Sequence, residues 1–263
     1  MSQRLREMFR RAHDDGHALF IPYVTAGYPE RSDTVPLLLA MEAGGADVIE
    51  IGVPFTDPLA DGSTVQHANQ VAIEHGTSMR DCLAIVREAR AQGLKAPLLF
   101  MGYYNPVLAY GEERLTIDAQ QAGLDGFIIV DLPPEEAGVF VAACKAHDLS
   151  FVPLVAPTTS DARIAKLAAV ADAFLYCVSV MGTTGRNNIV AADLPVFLDR
   201  IHAQTDLPLA VGFGISKREH VVSVGKVADA AVIGSAIIAT IDASDAQHRA
   251  QSVREFVEDV TGR

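Results

Sequence analysis

The 263-residue sequence contains no tryptophan, only three cysteines and no apolar run long enough to cross a membrane. Cys82, Cys144 and Cys177 are odd in number, widely spaced and free of any Cys-x-x-Cys pair. That pattern argues against a disulfide framework and against a cysteine zinc site. Residues 2–11 are charged and amphipathic and lack the apolar core of a secretion signal. These absences predict a protein of the reducing cytoplasm.

Positive charge is also scarce, with 21 Lys and Arg against 33 Asp and Glu and a formal net charge of -12. Such an acidic chain is poorly suited to nucleic acid or an anionic membrane surface. A phosphate ligand would have to be held locally, by backbone N–H groups or helix ends. No Ser-His-acid order, no His/Cys/Asp cluster and no lysine suited to a Schiff base stands at a predicted strand end. We therefore expect neither a metal nor a covalent intermediate.

Short apolar runs alternate with amphipathic stretches along the whole chain. The predicted strands are Leu19–Thr25, Ala46–Ile51, Ala96–Met101, Asp125–Val130, Phe151–Val155, Ala173–Val178, Pro208–Gly212 and Ala228–Ile233. The predicted helices between and around them include Gln3–Asp14, Asp33–Ala43, Met79–Gln92, Pro134–His147, Ser160–Ala171, Leu194–Gln204 and Ala246–Val260, with further helix starts at Ser216 and Ser235. Continuous apolar strands are typical of a parallel sheet that is buried on both faces.

Eight strand–helix units in this length predict an α/β fold, a single (β/α)8 TIM barrel over residues 1–263 with an additional N-terminal helix. A doubly wound open sheet is the alternative. No change in composition separates two halves, and eight units favour a closed barrel.

Glu50 interrupts the second apolar run, with Ile49 and Ile51 on either side. A carboxylate in such a setting loses hydration, which raises its pKa towards neutrality and suits it to proton transfer. A second carboxylate, Asp61, lies at the far end of the Pro/Gly/Asp-rich loop that follows. The alternative is that Glu50 is a solvated strand end and Asp61 a loop cap.

The ends of the predicted strands indicate where a ligand would bind, because active sites of barrels lie at the carboxyl ends of the strands. Glycines follow the seventh and eighth strands at Gly214 and Gly234, and helix starts at Ser216 and Ser235 would present free N–H groups to a phosphate. Tight turns without a ligand are the alternative.

Apolar walls and a loop of small residues complete the predicted site. The expected wall residues are Tyr23, Met101, Ile128 and Tyr176. The segment 182–188 has the composition of a lid, with Thr184 able to hydrogen-bond inward, although it could also be a surface loop without a role. Two carboxylates, a phosphate pocket and apolar walls predict proton-transfer chemistry on an aromatic or apolar phosphate ester.

Five segments resemble the tryptophan synthase alpha subunit family, in the order expected and over nearly the whole chain. They are Pro22–Pro29, Asp47–Gly62, Tyr103–Pro106, Asp131–Pro133 and Gly212–Ile215. The resemblance implies a (β/α)8 barrel and aldol cleavage of indole-3-glycerol phosphate to indole and glyceraldehyde 3-phosphate. The absence of tryptophan fits an enzyme made when tryptophan is scarce.

The resemblance also implies roles for individual residues. Glu50 would be the general acid/base, and Asp61 would bind the indole N–H and stabilise positive charge on the ring. Tyr176 would lie near the substrate, Thr184 and Gly185 in the lid, and Gly185, Gly214, Gly234 and Ser235 at the phosphate.

The family further implies a partner, the beta subunit, in an alpha-beta-beta-alpha heterotetramer. Pyridoxal phosphate is expected only in that subunit, so this chain would need no cofactor. Residues Pro54–Asp57 and Asn105 would lie near the contact. Two alternatives are a stand-alone barrel enzyme acting on another phosphate ester and a non-catalytic subunit that activates its partner.

Overall fold

The computed structural model describes residues 2–178, 190–212 and 214–263. Within them, the strands are β1 (Leu19–Thr25), β2 (Ile49–Gly52), β3 (Leu98–Gly102), β4 (Gly126–Ile129), β5 (Ser150–Val152), β6 (Leu154–Val155), β7 (Leu175–Val178), β8 (Leu209–Gly212) and β9 (Ala230–Ile233). The helices are α1 (Gln3–Asp15), α2 (Thr34–Ala43), α3 (Ser63–Glu74), α4 (Met79–Ala91), α5 (Tyr104–Tyr110), α6 (Glu112–Ala122), α7 (Gly138–Ala146), α8 (Asp161–Val170), α9 (Val190–His202), α10 (Arg218–Val224), α11 (Ser235–Asp242) and α12 (Arg249–Thr261).

All paired strands run parallel, in the order β5-β4-β3-β2-β1-β9-β8-β7-β6. Only Pro153 separates β5 from β6. Residues 150–155 therefore serve as one barrel strand, whose first half pairs with β4 and whose second half pairs with β7. The predicted barrel is confirmed, and the open sheet is wrong. The predicted fifth strand is corrected to two segments, because proline has no N–H to donate to a neighbouring strand.

The strand register decides which side chains face the barrel interior. Tyr23 is paired with Glu50, and Glu50 is paired with Leu99. Paired residues point to the same side of a sheet and alternate with residues that point to the other side. Glu50 and Tyr23 therefore share the interior face, while Ile49 and Ile51 point towards the surrounding helices.

Several predicted helix boundaries are wrong. The helices α3, α5 and α6 were not among the predicted helices. The start predicted at Ser216 falls at Arg218, since Lys217 is the N-cap of α10 and the Ser216 N–H donates to Nδ1 of His220 (3.3 Å). The helix predicted to begin at Leu194 begins at Val190 instead, which places Pro195 inside α9.

The predicted N-terminal helix is confirmed as α1, which buries Leu5, Phe9 and Ala12. Its attachment to the barrel depends on the buried Asp125. That carboxylate accepts hydrogen bonds from Ser2 Oγ (2.6 Å), Arg4 Nε (2.9 Å), Arg90 Nη2 (2.8 Å) and the Leu98 N–H (2.9 Å). Among the helices of the described residues, none is long and apolar enough to span a membrane.

Candidate active site

Glu50 lies inside the barrel near the carboxyl end of β2 and is fully buried. Neither carboxylate oxygen has a hydrogen-bond partner among the described residues. Burial therefore raises the pKa of Glu50 to about 8, because the charged form has lost its hydration without compensation. The alternative of a solvated strand end is wrong. A buried carboxyl group with a pKa near neutrality can both give and accept a proton at physiological pH.

Asp61 lies at the end of the loop between β2 and α3, immediately before Gly62, the N-cap of that helix. Burial raises the pKa of Asp61 to about 6, against the opposing effect of hydrogen bonds from Asn69 and Tyr103. The loop cap alternative is therefore wrong as well: Gly62 holds the cap position, and the Asp61 side chain accepts a bond from Asn69 Nδ2 (3.1 Å).

Two interior tyrosines lie near both carboxylates. Burial raises the pKa of Tyr176 well above its usual range, and the nearby charges of Glu50 and Asp61 act in the same direction. Burial also raises the pKa of Tyr23, with smaller contributions from the charges of Asp61 and Glu50, and the Tyr23 hydroxyl lies 3.1 Å from Thr25 Oγ1. Since both carboxylates act on both phenols, all four side chains share one region of the barrel interior.

Glycines make room for these tyrosines. A Cβ atom added at Gly52 would overlap the Tyr23 hydroxyl, and one added at Gly212 would overlap the Tyr176 hydroxyl. The bare backbone of β2 and of β8 therefore lets a large ring lie across each strand. The register sets the expected wall residues Met101 and Ile128 opposite each other, and both are buried. All four predicted wall residues thus lie on the interior face.

The predicted phosphate residues Gly214, Gly234 and Ser235 lie at the same end of the barrel. Gly214 follows β8 with a φ of +74°, a conformation that favours glycine. Gly234 is the N-cap of α11, and the exposed Ser235 is the first residue of that helix. A Cβ atom at Gly234 would lie 3.5 Å from Tyr23 Cδ1, so the start of α11 adjoins the wall of the site. This helix start offers N–H groups to an anion. Helix α10, two residues further along than expected, does not begin at Ser216.

The predicted lid, residues 182–188 with Thr184 and Gly185, lies outside the described residues, and its role stays a prediction. Within the described residues, no group of three or more His, Cys, Asp or Glu side chains could hold a metal ion.

Sequence reasoning did not assign roles to Asn69 and Tyr103, although both contact Asp61. One signal was present in the sequence. Asn69 is a polar residue on the buried face of α3, between Ala68 and Ala72. Its pairing with Asp61 depends on the course of the preceding loop, which composition does not reveal.

Comparison with known proteins decides the family. The family model described as the tryptophan synthase alpha chain matches residues 9–262. The chain belongs to this family. The tryptophan synthase alpha chain of Roseiflexus sp. (strain RS-1) is 46% identical over 260 residues, which cover 98% of this chain and 99% of that one. Tryptophan synthase of Saccharomyces cerevisiae is 47% identical over 99% of this chain, but this chain spans only 37% of the yeast protein's length.

Solved structures of the family have the same fold. A Mycobacterium tuberculosis tryptophan synthase structure in space group F222 matches with a TM-score of 0.90 and 31% identity, covering 100% of this chain and 98% of that one. The tryptophan synthase alpha chain of Legionella pneumophila subsp. pneumophila matches with a TM-score of 0.90 and 32% identity, covering 100% and 97%. As a member of the tryptophan synthase alpha chain family, the chain is a carbon–carbon lyase of tryptophan biosynthesis that cleaves indole-3-glycerol phosphate to indole and glyceraldehyde 3-phosphate.

Proposed function

We propose that Glu50 is the general acid/base of the lyase reaction and that Asp61 is its anionic partner. The observation that carries this proposal is the isolation of Glu50: it is fully buried, without a partner among the described residues, and has a pKa of about 8. A structural carboxylate at such a position would be paired, since an unpaired buried charge is costly.

The two carboxyl groups are suited to different tasks at neutral pH. With a pKa of about 8, Glu50 is mostly protonated, whereas Asp61, with a pKa of about 6, is mostly ionised. Different environments of two carboxyl groups commonly separate an acid from a charge-stabilising base. Glu50 can therefore donate a proton, and Asp61 can stabilise a cation.

Cleavage needs one proton to be delivered and one to be removed. Glu50 donates its proton to the ring carbon that carries the glycerol phosphate chain, and positive charge develops on the ring nitrogen. The ionised Asp61 accepts a hydrogen bond from the ring N–H and stabilises that charge. Glu50, now ionised, takes the proton of the adjacent side-chain hydroxyl. The carbon–carbon bond breaks, its electrons restore the aromatic ring, and the aldehyde forms.

The rest of the site would position the substrate. Tyr23, Met101, Ile128 and Tyr176 form apolar walls for the ring, and the start of α11 at Gly234 and Ser235 holds the phosphate together with Gly214. Thr184 and Gly185 would close the site as a lid. Exclusion of water by such a lid strengthens the interactions of Glu50 and Asp61 with the substrate.

The chain would act in the cytoplasm with a tryptophan synthase beta subunit, in an alpha-beta-beta-alpha heterotetramer. Exposed residues at the same end of the barrel support a contact there, namely Thr56, Asp57 and Asn105. Pyridoxal phosphate would belong to the beta subunit, and the chemistry assigned to this chain uses no cofactor.

Replacement of Glu50 tests the proposal. Glu50→Gln keeps the shape but removes the proton, so we expect release of indole from indole-3-glycerol phosphate to fall at least about 100-fold, the usual contribution of a general acid/base. Binding of a glycerol phosphate analogue should stay within about twofold, because Glu50 does not hold the phosphate.

Glu88→Gln, on the exposed surface of α4, is the matched control and should turn over normally. Turnover of Glu50→Gln within about tenfold of the unmodified enzyme would refute the role of Glu50.

A further inference from the structure

We propose that Asn69 and Tyr103 are positioning residues, which hold the Asp61 carboxylate in the orientation that accepts the ring N–H of the substrate. The inference rests on the proposed role of Asp61. Both residues contact this carboxylate from different elements, Asn69 from α3 and Tyr103 from the loop between β3 and α5.

Asn69 is 2% exposed, and its Nδ2 donates to Asp61 Oδ2 at 3.1 Å. Its other polar atom, Oδ1, is buried and has no hydrogen-bond partner among the described residues. A half-satisfied buried amide is costly, and an alanine or leucine would pack there without that cost. An apolar side chain would suit the buried face of α3 better than the amide of Asn69. The presence of the amide therefore points to a role in holding Asp61.

Tyr103 fixes the peptide next to Asp61 as well as the carboxylate. Its hydroxyl accepts a hydrogen bond from the Ala60 N–H at 2.9 Å and also bonds to the Asp61 side chain. The phenol ring is held in turn by Phe55, with 5.1 Å between ring centroids. The Tyr103 side chain thus contacts Phe55 near the start of the loop between β2 and α3, and Ala60 and Asp61 near its end.

These contacts also set the charge of Asp61. The titratable groups around it are Tyr23 from β1, Tyr176 from β7 and Tyr103, whose pKa values the Asp61 charge raises, and Glu50 from β2, which is paired with Tyr23 in the strand register. Burial raises the pKa of Asp61 to about 6, whereas Asn69 and Tyr103 lower it by donating to the ionised form. Loss of either donor should therefore raise the pKa further, and a protonated Asp61 would accept the ring N–H only through a weaker, uncharged hydrogen bond and would not stabilise positive charge.

Two phosphate-bearing probes isolate the hydrogen bond of Asp61. One is an indole with a saturated propyl phosphate chain, and the other is its benzothiophene counterpart, in which sulfur replaces the ring N–H. The unmodified protein should bind the indole probe roughly tenfold more tightly, since a hydrogen bond to a charged group is worth about that much. In Asn69→Leu and in Tyr103→Phe, this preference should shrink to about twofold or less, with affinity for the benzothiophene probe nearly unchanged.

Neighbouring residues provide matched controls. Gln70→Leu removes an exposed amide from the same helix, and Tyr110→Phe removes a tyrosine hydroxyl that donates to Asp118 at 2.6 Å, away from the site. Both controls should keep the full preference for the indole probe. If Asn69→Leu does not fold, Tyr103→Phe alone tests the inference, because its ring packing is retained.

The pH dependence of binding gives a second readout. In the unmodified protein the preference for the indole probe should fall below about pH 6, as Asp61 becomes protonated. In both variants that fall should begin at a higher pH. A purely structural role would instead weaken both probes equally at every pH.

The inference would be overturned if both variants lost affinity equally for the two probes, or if both kept the full preference for the indole probe. Either result would still leave Asp61 as the group that binds the ring N–H. Absence of any preference in the unmodified protein would instead refute the proposed role of Asp61 itself. The two failures are therefore distinguishable.

Discussion

At the scale of single residues, the site depends on the different surroundings of two carboxyl groups. Glu50 is fully buried and has no hydrogen-bond partner among the described residues, whereas Asp61 receives two side-chain hydrogen bonds. The apolar neighbours of Glu50 in the sequence were enough to predict its unusual chemistry. The partners of Asp61 were not predictable, because Asn69 and Tyr103 are 8 and 42 positions away and meet it only through the fold.

Burial of Glu50 should make stability depend on pH. Its pKa is about 8 in the folded protein and about 4.5 in the unfolded chain, so the folded state holds more protons between these values. Stability should therefore fall as pH rises from about 4.5 to about 8. At about 1.4 kcal/mol per unit of pKa, the loss has an upper limit of about 5 kcal/mol.

Denaturant unfolding of the unmodified chain and of Glu50→Gln measures this effect. The variant should be the more stable of the two near pH 8, and the difference should nearly vanish near pH 4, since glutamine carries no charge. Glu88→Gln should show no such trend. A difference between the Glu50→Gln and unmodified chains that is independent of pH would contradict the assigned pKa.

At the scale of elements, continuous apolar runs predicted the strands well, because a parallel strand in a barrel is buried on both faces. Helices were less predictable. Helix α6 has acidic residues in its first turn and a buried face of Leu115, Thr116, Ala119 and Ala122, a pattern typical of an amphipathic helix. The short α5 and the mixed polar α3 offer a weaker signal, and their positions follow from packing against the barrel.

The close contact between Gly212 and Tyr176 is a testable property of β8. A methyl group at this position would overlap the Tyr176 hydroxyl and push the ring out of its place in the barrel. We expect Gly212→Ala to destabilise the fold by about 1–3 kcal/mol, the usual cost of overpacking, and to weaken substrate binding.

Gly138→Ala is the control, because a Cβ atom there has no neighbour within 4 Å. As a glycine in a helix replaced by alanine, it should be neutral or stabilising by up to about 1 kcal/mol. Thermal unfolding and substrate KM would be measured for both variants. If Gly212→Ala and Gly138→Ala had the same stability and the same KM, the position of Tyr176 would not require a glycine at residue 212.

At the scale of the whole molecule, the two ends of the barrel have separate tasks. The amino end is fastened by α1 and by the hydrogen bonds that converge on Asp125, which ties residues from α1, α4 and β3 together. The carboxyl end carries the carboxylates, the tyrosines and the start of α11. The number of strand–helix units predicted this architecture. The division of the fifth barrel strand at Pro153 is visible only in the pairing of β5 with β4 and of β6 with β7. That residues 1–263 act as a single domain stays a prediction.

Since the exposed residues Thr56, Asp57 and Asn105 lie at the carboxyl end with the candidate site, a partner that binds there should change the rate of catalysis. The most direct measurement is the rate of indole formation from indole-3-glycerol phosphate, by the purified chain alone and with a purified tryptophan synthase beta subunit. We predict indole and glyceraldehyde 3-phosphate in equal amounts, formed faster in the presence of the partner. No indole formation in either mixture, with a folded chain that binds the substrate, would contradict the account.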